Sequence, residues 1–132
     1  MSARRALAIL PRRADFLRVA GSGAKWATAG LIVQACRRAE AGEPPGANVS
    51  AAPSIRVGFT ASKKVGGAVQ RNRARRRMKE LAREVVLAEA APGYDYVLIA
   101  RPETVARDYD DLRRDLRFAL KRLRLLKQEK AA

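Results

Sequence analysis

The stretch Arg71 to Arg83 constrains the fold of this chain more than any other. Seven of its thirteen residues are Arg or Lys, the only acid is Glu80, and apolar residues recur behind the charge at helical spacing. On a helix of about 100° per residue, Ala74, Met78, Leu81 and Val85 fall on one side and Asn72, Arg76, Lys79 and Arg83 on the other. The first side has to be buried against other elements, and the second can be offered to an anion. At ~1.5 Å rise per residue, Asn72, Arg76, Lys79 and Arg83 form one row about 16 Å long, enough to follow several phosphates.

The segments around this helix supply what it packs on. Alternation from Ser54 puts Ile55, Val57 and Phe59 on one face of a strand and Arg56, Gly58 and Thr60 on the other. Pro92 and Gly93 end the helix near Ala90, and Tyr94 to Ala100 then reads as a central strand covered on both faces, because Tyr96, Val97, Leu98 and Ile99 are consecutive. A last helix from about Tyr109 to Leu126 carries Leu112, Leu116, Ala119, Leu120 and Leu123 as one stripe. Upstream, the run between Pro11 and Gly21 is a short helix with Phe16 as its aromatic. Lys25 to Arg38 is one strand, or a strand pair broken near Gly30. The expected order is helix, two or three strands, helix, strand, helix: an α+β two-layer sandwich of one sheet against helices, in a single domain over residues 1–132. Residues 39–53, rich in Ala, Gly and Pro, are expected to be a mobile loop, and residues 1–10 and 128–132 flexible ends.

Charge and composition narrow the function. Among 132 residues, 28 Lys and Arg face 13 Asp and Glu, for a formal net charge of +15, while 48% hydrophobic residues suffice for one core. Such a field calls for a polyanion, and its spread over the whole chain favours nucleic acid over a membrane surface. The absence of His removes Ser-His-Asp and Cys-His arrangements and zinc sites built on His. The densest acidic group, Asp108, Asp110 and Asp111, opens the last helix, where capping explains it better than a metal. Cys36 stands alone, so no internal disulfide forms and a reducing compartment fits; we read it as a small strand hydrophobe. The apolar stretch before Pro11 is too short for a secretory segment, and a cytoplasmic protein without a membrane is expected.

At the entrance to the basic helix the chain reads Lys63-Lys64-Val65-Gly66-Gly67, then Arg71-Asn72-Arg73. Together with Arg12-Arg13-Ala14-Asp15-Phe16, Ile55-Arg56-Val57-Gly58-Phe59 and Tyr94-Asp95-Tyr96-Val97-Leu98-Ile99-Ala100-Arg101, in that order, this closely resembles the bacterial ribonuclease P proteins. The resemblance implies a protein partner of a catalytic RNA that, with magnesium bound mainly by the RNA, removes the 5′ leader of precursor tRNA. It also implies a four-stranded sheet with three helices in the order α-β-β-β-α-β-α, a left-handed βαβ crossover, where the general rule favours the right-handed one, and no obligate protein partner. Two surfaces are implied residue by residue. Lys63, Lys64, Arg71, Asn72, Arg73, Arg75, Arg76, Lys79 and Arg83 match the face that meets the RNA subunit, with Lys79 where the family has an arginine. Arg12, Arg13, Phe16, Val33 and Arg56 match a cleft between the first helix and the sheet that holds the leader. Ala20 and Val33 stand where relatives carry aromatics, so stacking there would rest on Phe16.

Each of these residues also has a plainer reading. Phe16 could be a core anchor, Trp26 is better explained by packing on its strand neighbours than by stacking on RNA, and Lys63 and Lys64 could be a solvated, flexible turn. For the whole chain the competing function is a basic structural RNA-binding protein of ribosomal type, with no enzymatic partner.

Overall fold

The computed structural model describes residues 8–37 and 55–126. The expected loop at 39–53, the tail at 128–132 and the first seven residues lie outside these. Four helices and four strands follow in the order α1 (Arg13–Ser22), β1 (Ala24–Ala27), β2 (Leu31–Arg37), β3 (Ile55–Thr60), α2 (from Ala68), β4 (Tyr94–Ala100), α3 (Pro102–Ala106) and α4 (Tyr109–Arg122). The expected order is met, with the short α3 added before the last helix. Helix α2 runs as α-helix over Ala68–Leu81, widens into a π turn over Ala82–Val86 and closes over Leu87–Glu89.

The sheet has the order β1-β2-β4-β3. The hairpin β1–β2 pairs Trp26 with Val33, β2 runs antiparallel to β4, and β3 runs parallel to β4 with Val57 opposite Tyr96. The parallel pair is joined through α2, as a βαβ unit requires. Thr28 turns the hairpin, its amide donating to the Leu31 carbonyl at 2.9 Å. Thr104, fully buried on α3, accepts from the Arg101 amide at 2.8 Å and donates to the Gly30 carbonyl at 2.5 Å, so the hairpin end and α3 are fastened together.

Alternation in the strands sends two sets of side chains to two faces. Leu31, Val33, Ala35, Ile55, Val57, Tyr96 and Leu98 meet Ala74, Met78, Leu81 and Val85 of α2 and Leu112, Leu116, Ala119 and Leu120 of α4 in the main core. The stripe predicted for α2 is thus the buried one. On the opposite face a smaller cluster of Leu10, Val19, Cys36 and Val97, with Phe16 and Ile99 against it, holds α1. Strand β4 is covered on both sides as expected. Residues 8–10, expected to be a flexible start, instead lie beside β3: the Leu10 amide donates to the Val57 carbonyl at 3.1 Å, the Val57 amide to that of Ala8 at 2.9 Å, and Leu10 is buried.

Charge rather than apolar area locks α1 in register. Asp95 of β4 is fully buried and faces α1, where it accepts from Arg18 Nη2 at 2.5 Å and from Arg56 Nε and Nη2 at 3.0 and 2.7 Å. Asp15, also buried, accepts from Arg18 at 3.3 Å, with Arg56 at 3.9 Å. Hydrogen bonding to Asp95 raises the pKa of Arg56; for Arg18 burial works against the charge, but the bonds to Asp95 and Asp15 outweigh it and its pKa also rises. One carboxylate thus joins α1, β3 and β4. Removing one member of a buried ion pair typically costs ~3–5 kcal/mol, because the partner charges stay behind. Asp95→Ala is expected to lower the unfolding free energy by about 3 kcal/mol in urea denaturation. A loss no larger than that of an exposed site would show that α1 does not depend on this pair.

Candidate nucleic-acid interface

The entrance to α2 is a built turn and not the flexible one expected. The Ser62 hydroxyl accepts from the Lys64 amide at 3.3 Å, Lys63–Val65 forms one 3-10 turn, and Val65 is buried, which leaves Lys63 and Lys64 exposed. Gly66 follows with φ 143°, a conformation that side chains disfavour, and its carbonyl accepts from Arg71 Nη1 at 3.2 Å. Arg71 therefore braces the turn that presents the two lysines.

Beyond the turn, the structure divides the cations of α2 among different tasks. Arg77, outside the row, turns inward and donates to the carbonyls of Val105 and Arg107 at 2.8 and 2.6 Å, with its guanidinium 5.7 Å from the Tyr109 ring. Arg75 donates to Asn72 Oδ1 at 3.1 Å, and Arg83 pairs with Glu80 at 3.0 Å. Arg73, Arg76 and Lys79 are exposed and make no ion pair or hydrogen bond through their side chains among the described residues. Like charges at helical spacing repel by roughly 0.2–0.5 kcal/mol per pair, a penalty that an anion laid along the row would relieve. The acids of this helix each have a cation: Glu80 pairs with Arg83 of the row at 3.0 Å, Glu84 meets Arg113 at 3.4 Å and the Tyr109 hydroxyl at 3.1 Å, and Glu89 meets Arg117 at 2.8 Å. Burial, followed by the bond to Glu84, pushes the Tyr109 hydroxyl up to about 12.

The cleft residues are only partly brought together. Arg12 and Arg13 are exposed where α1 begins, and Phe16 is half-buried with its ring on Gly58, where a Cβ would come within 2.5 Å of two ring carbons. Phe16 is thus both a packing residue and a partly open ring. Arg56 lies under α1, held by Asp95. Val33 does not line the cleft: it is fully buried in the main core on the other face of β2, and alternation gives the α1 side to Ile32, Gln34 and Cys36. Ala20 is exposed. The residues that sequence reasoning passed over are Arg18 and Asp95. Their signal was a charge at Asp95 in a strand read as covered on both faces, since such a charge requires a buried partner.

Most of the described carboxylates are taken up by arginines and a helix cap. Among the described residues there is no group of three or more Cys, Asp or Glu that could hold a metal. Asp95 faces Arg18 and Arg56, Asp110 faces Arg113, Asp111 faces Arg114 and Asp115 faces Arg107. Asp108 caps α4, accepting from the Asp110 amide at 3.4 Å, in line with the capping role expected of it. No described helix is long and apolar enough to cross a membrane.

A mixed four-stranded sheet that presents a lysine turn and an unpaired cationic helix face defines a small α+β RNA-binding protein. Residues 5–124 match the family described as Ribonuclease P. The chain is 50% identical over 123 residues to the ribonuclease P protein component of Paramagnetospirillum magneticum, covering 93% of this chain and 87% of the relative, and 48% identical over 118 residues to that of Ruegeria pomeroyi, covering 89% and 86%. Its fold matches the ribonuclease P protein of Staphylococcus aureus with a TM-score of 0.68 at 25% identity, over 89% of this chain and 95% of that one. The fold also matches the Thermotoga maritima protein with a TM-score of 0.66, over 86% and 96%. The chain belongs to the ribonuclease P protein family: it is the RNA-binding protein subunit that assists a catalytic RNA in 5′ maturation of precursor tRNA.

Two neighbours on α2 test the division of its cations. Arg77→Ala is expected to lower the unfolding free energy by about 2 kcal/mol through loss of two charge-assisted bonds, whereas Arg76→Ala stays within about 0.5 kcal/mol of the parent. Equal losses in denaturant titrations would contradict the assignment of Arg77 to packing and Arg76 to the outside.

Proposed function

We propose that the catalytic RNA docks on the face formed by Lys63, Lys64 and the α2 row, and that the precursor tRNA leader follows the cleft between α1 and the sheet. The observation that carries this reading is the set Arg73, Arg76 and Lys79, exposed and unpaired among the described residues beside a braced lysine turn. Arg71 and Asn72 shape this face, Arg71 through the Gly66 carbonyl and Asn72 by receiving Arg75. In the cleft, Arg13 supplies an exposed charge, Arg12 one shared with Asp15 at 3.7 Å, Arg56 a fixed one, and Phe16 the one ring on which a base can stack. Stacking of this kind contributes ~1–3 kcal/mol per base without sequence preference. The magnesium of the reaction is held by the RNA; this chain's part is to place two RNAs against each other and screen their phosphates. It does so in the cytoplasm and needs no second protein.

Added to a ribonuclease P RNA at low magnesium, the protein is expected to increase cleavage of precursor tRNA; no increase would count against the holoenzyme role. Arg76→Ala and Lys79→Ala are each expected to reduce the salt slope of RNA-subunit binding by roughly 0.7–0.9, the loss of one phosphate contact. Unchanged slopes in both variants would move the docking face elsewhere. Phe16→Ala should weaken leader-bearing tRNA by about fivefold or more relative to mature tRNA, and equal losses for both would leave Phe16 a packing residue only.

A further inference from the structure

One basic and aromatic surface is used by neither of these two sites. It lies at the β1 edge of the sheet, the edge opposite β3, where α4 crosses the hairpin. Phe118 of α4 is 52% exposed, and its ring meets Trp26 of β1 edge-on, with centroids 6.4 Å apart and planes at 66°. Arg122 sits 4.9 Å above the Trp26 ring. Phe118, Lys121, Arg122 and Arg124 line a shallow depression of about 370 Å³. That size falls in the range of small-ligand sites, ~300–1,000 Å³. The three cations make no ion pair among the described residues, unlike Arg107, Arg113, Arg114 and Arg117 of the preceding turns.

Arg124 adds an independent observation. It ends α4 at φ 62°, the one described non-glycine residue at positive φ, with its amide donating to the Lys121 carbonyl at 3.0 Å. Glycine is the usual residue for this helix-ending conformation, and any side chain there carries backbone strain. Strain kept at one position points to a use for the side chain that occupies it. Here that side chain is a cation at the rim of the depression.

An open aromatic ring beside three cations suits a base with its phosphate better than it suits Asp and Glu side chains, which bring charge but no ring to stack. We propose that this corner is a second RNA contact. It takes one unpaired nucleotide, with the base on Phe118 and the phosphate among Lys121, Arg122 and Arg124. The inference rests on RNA being the partner, but it is independent of where the α2 row docks.

Trp26 is the only tryptophan of the chain, so its emission reports on this corner alone. With the full chain at low salt, a short labelled oligouridylate is expected to change Trp26 emission saturably, in step with the anisotropy of its label. The same response is expected in an Arg76→Ala/Lys79→Ala variant. Phe118→Ala and Arg124→Gly are each expected to weaken the oligonucleotide about fivefold or more. Arg124→Gly should do so with an unchanged or higher melting temperature, so that loss of fold cannot explain it. Binding without an emission change, absence of binding, or wild-type affinity in both variants would overturn the proposal. So would polyglutamate moving Trp26 emission as strongly as the oligonucleotide, which would give the surface to an acidic protein. None of these outcomes bears on docking at α2, which is read with the catalytic RNA.

Discussion

A carboxylate in the middle of an apolar strand is expensive unless charge meets it on several sides, and Asp95 is met by guanidinium groups from two elements. The arrangement of α1 depends on that requirement. The apolar cluster under α1 is small, built on Leu10, Val19, Cys36 and Val97, and Phe16 is only half-buried against it. Such a patch could slide. Asp95 cannot keep both Arg18 and Arg56 at 2.5–3.0 Å if α1 shifts by a turn. The buried pair thus contributes position more than net stability, and the position it sets is that of the cleft wall.

The same logic orders α2, where identical side-chain chemistry serves opposite ends. Arg76 and Arg77 are consecutive, and the 100° between them decides which becomes a structural bond and which a free charge. Arg77 reaches two carbonyls near the end of α3 that no helix or strand satisfies, so its charge is consumed by backbone. Arg76 points away from the core and keeps its charge for a ligand. Counting the basic residues of this helix therefore overstates the charge available to RNA; the face rests on Arg73, Arg76 and Lys79, with Lys63 and Lys64 at its entrance.

Much of this was legible in the sequence because it follows from period. The stripe Ala74, Met78, Leu81 and Val85, the doubly covered β4 and the hairpin break near Gly30 are all consequences of 3.6- and 2-residue repeats read against burial. The family resemblance fixed the strand count at four and added the two surfaces. What period could not supply is which side of a buried strand faces which helix. Val33 lies in the run Leu31–Cys36, where both alternating sets carry apolar residues, so nothing local separated the main core from the cleft, and the structure puts it in the core. The short α3 escaped for a similar reason, since five residues from Pro102 carry too little periodic signal. Residues 8–10 looked like a loose end because their backbone bonds to β3 leave no trace in side-chain pattern, and one buried side chain, Leu10, makes no period.

The distribution of acids explains how a chain with net charge +15 stays folded while presenting a strong external field. Several of the described carboxylates are directed at arginines of another element: Asp95 joins α1, β3 and β4, Glu84 and Glu89 join the far half of α2 to α4, and Asp115 holds Arg107 beyond α3. Each such pair neutralises a cation where two elements meet, which is where self-repulsion would open the fold. The cations that no described acid pairs with include Lys63 and Lys64 of the turn, Arg73, Arg76 and Lys79 of α2, Arg13 at the start of α1, and Lys121, Arg122 and Arg124 at the end of α4. A random scatter of 13 acids among 28 bases would lower the field everywhere and leave the element contacts unprotected. Placing Asp95, Glu84, Glu89 and Asp115 at element contacts lets one small core carry several cationic surfaces at once, as the proposed placement between two RNAs requires.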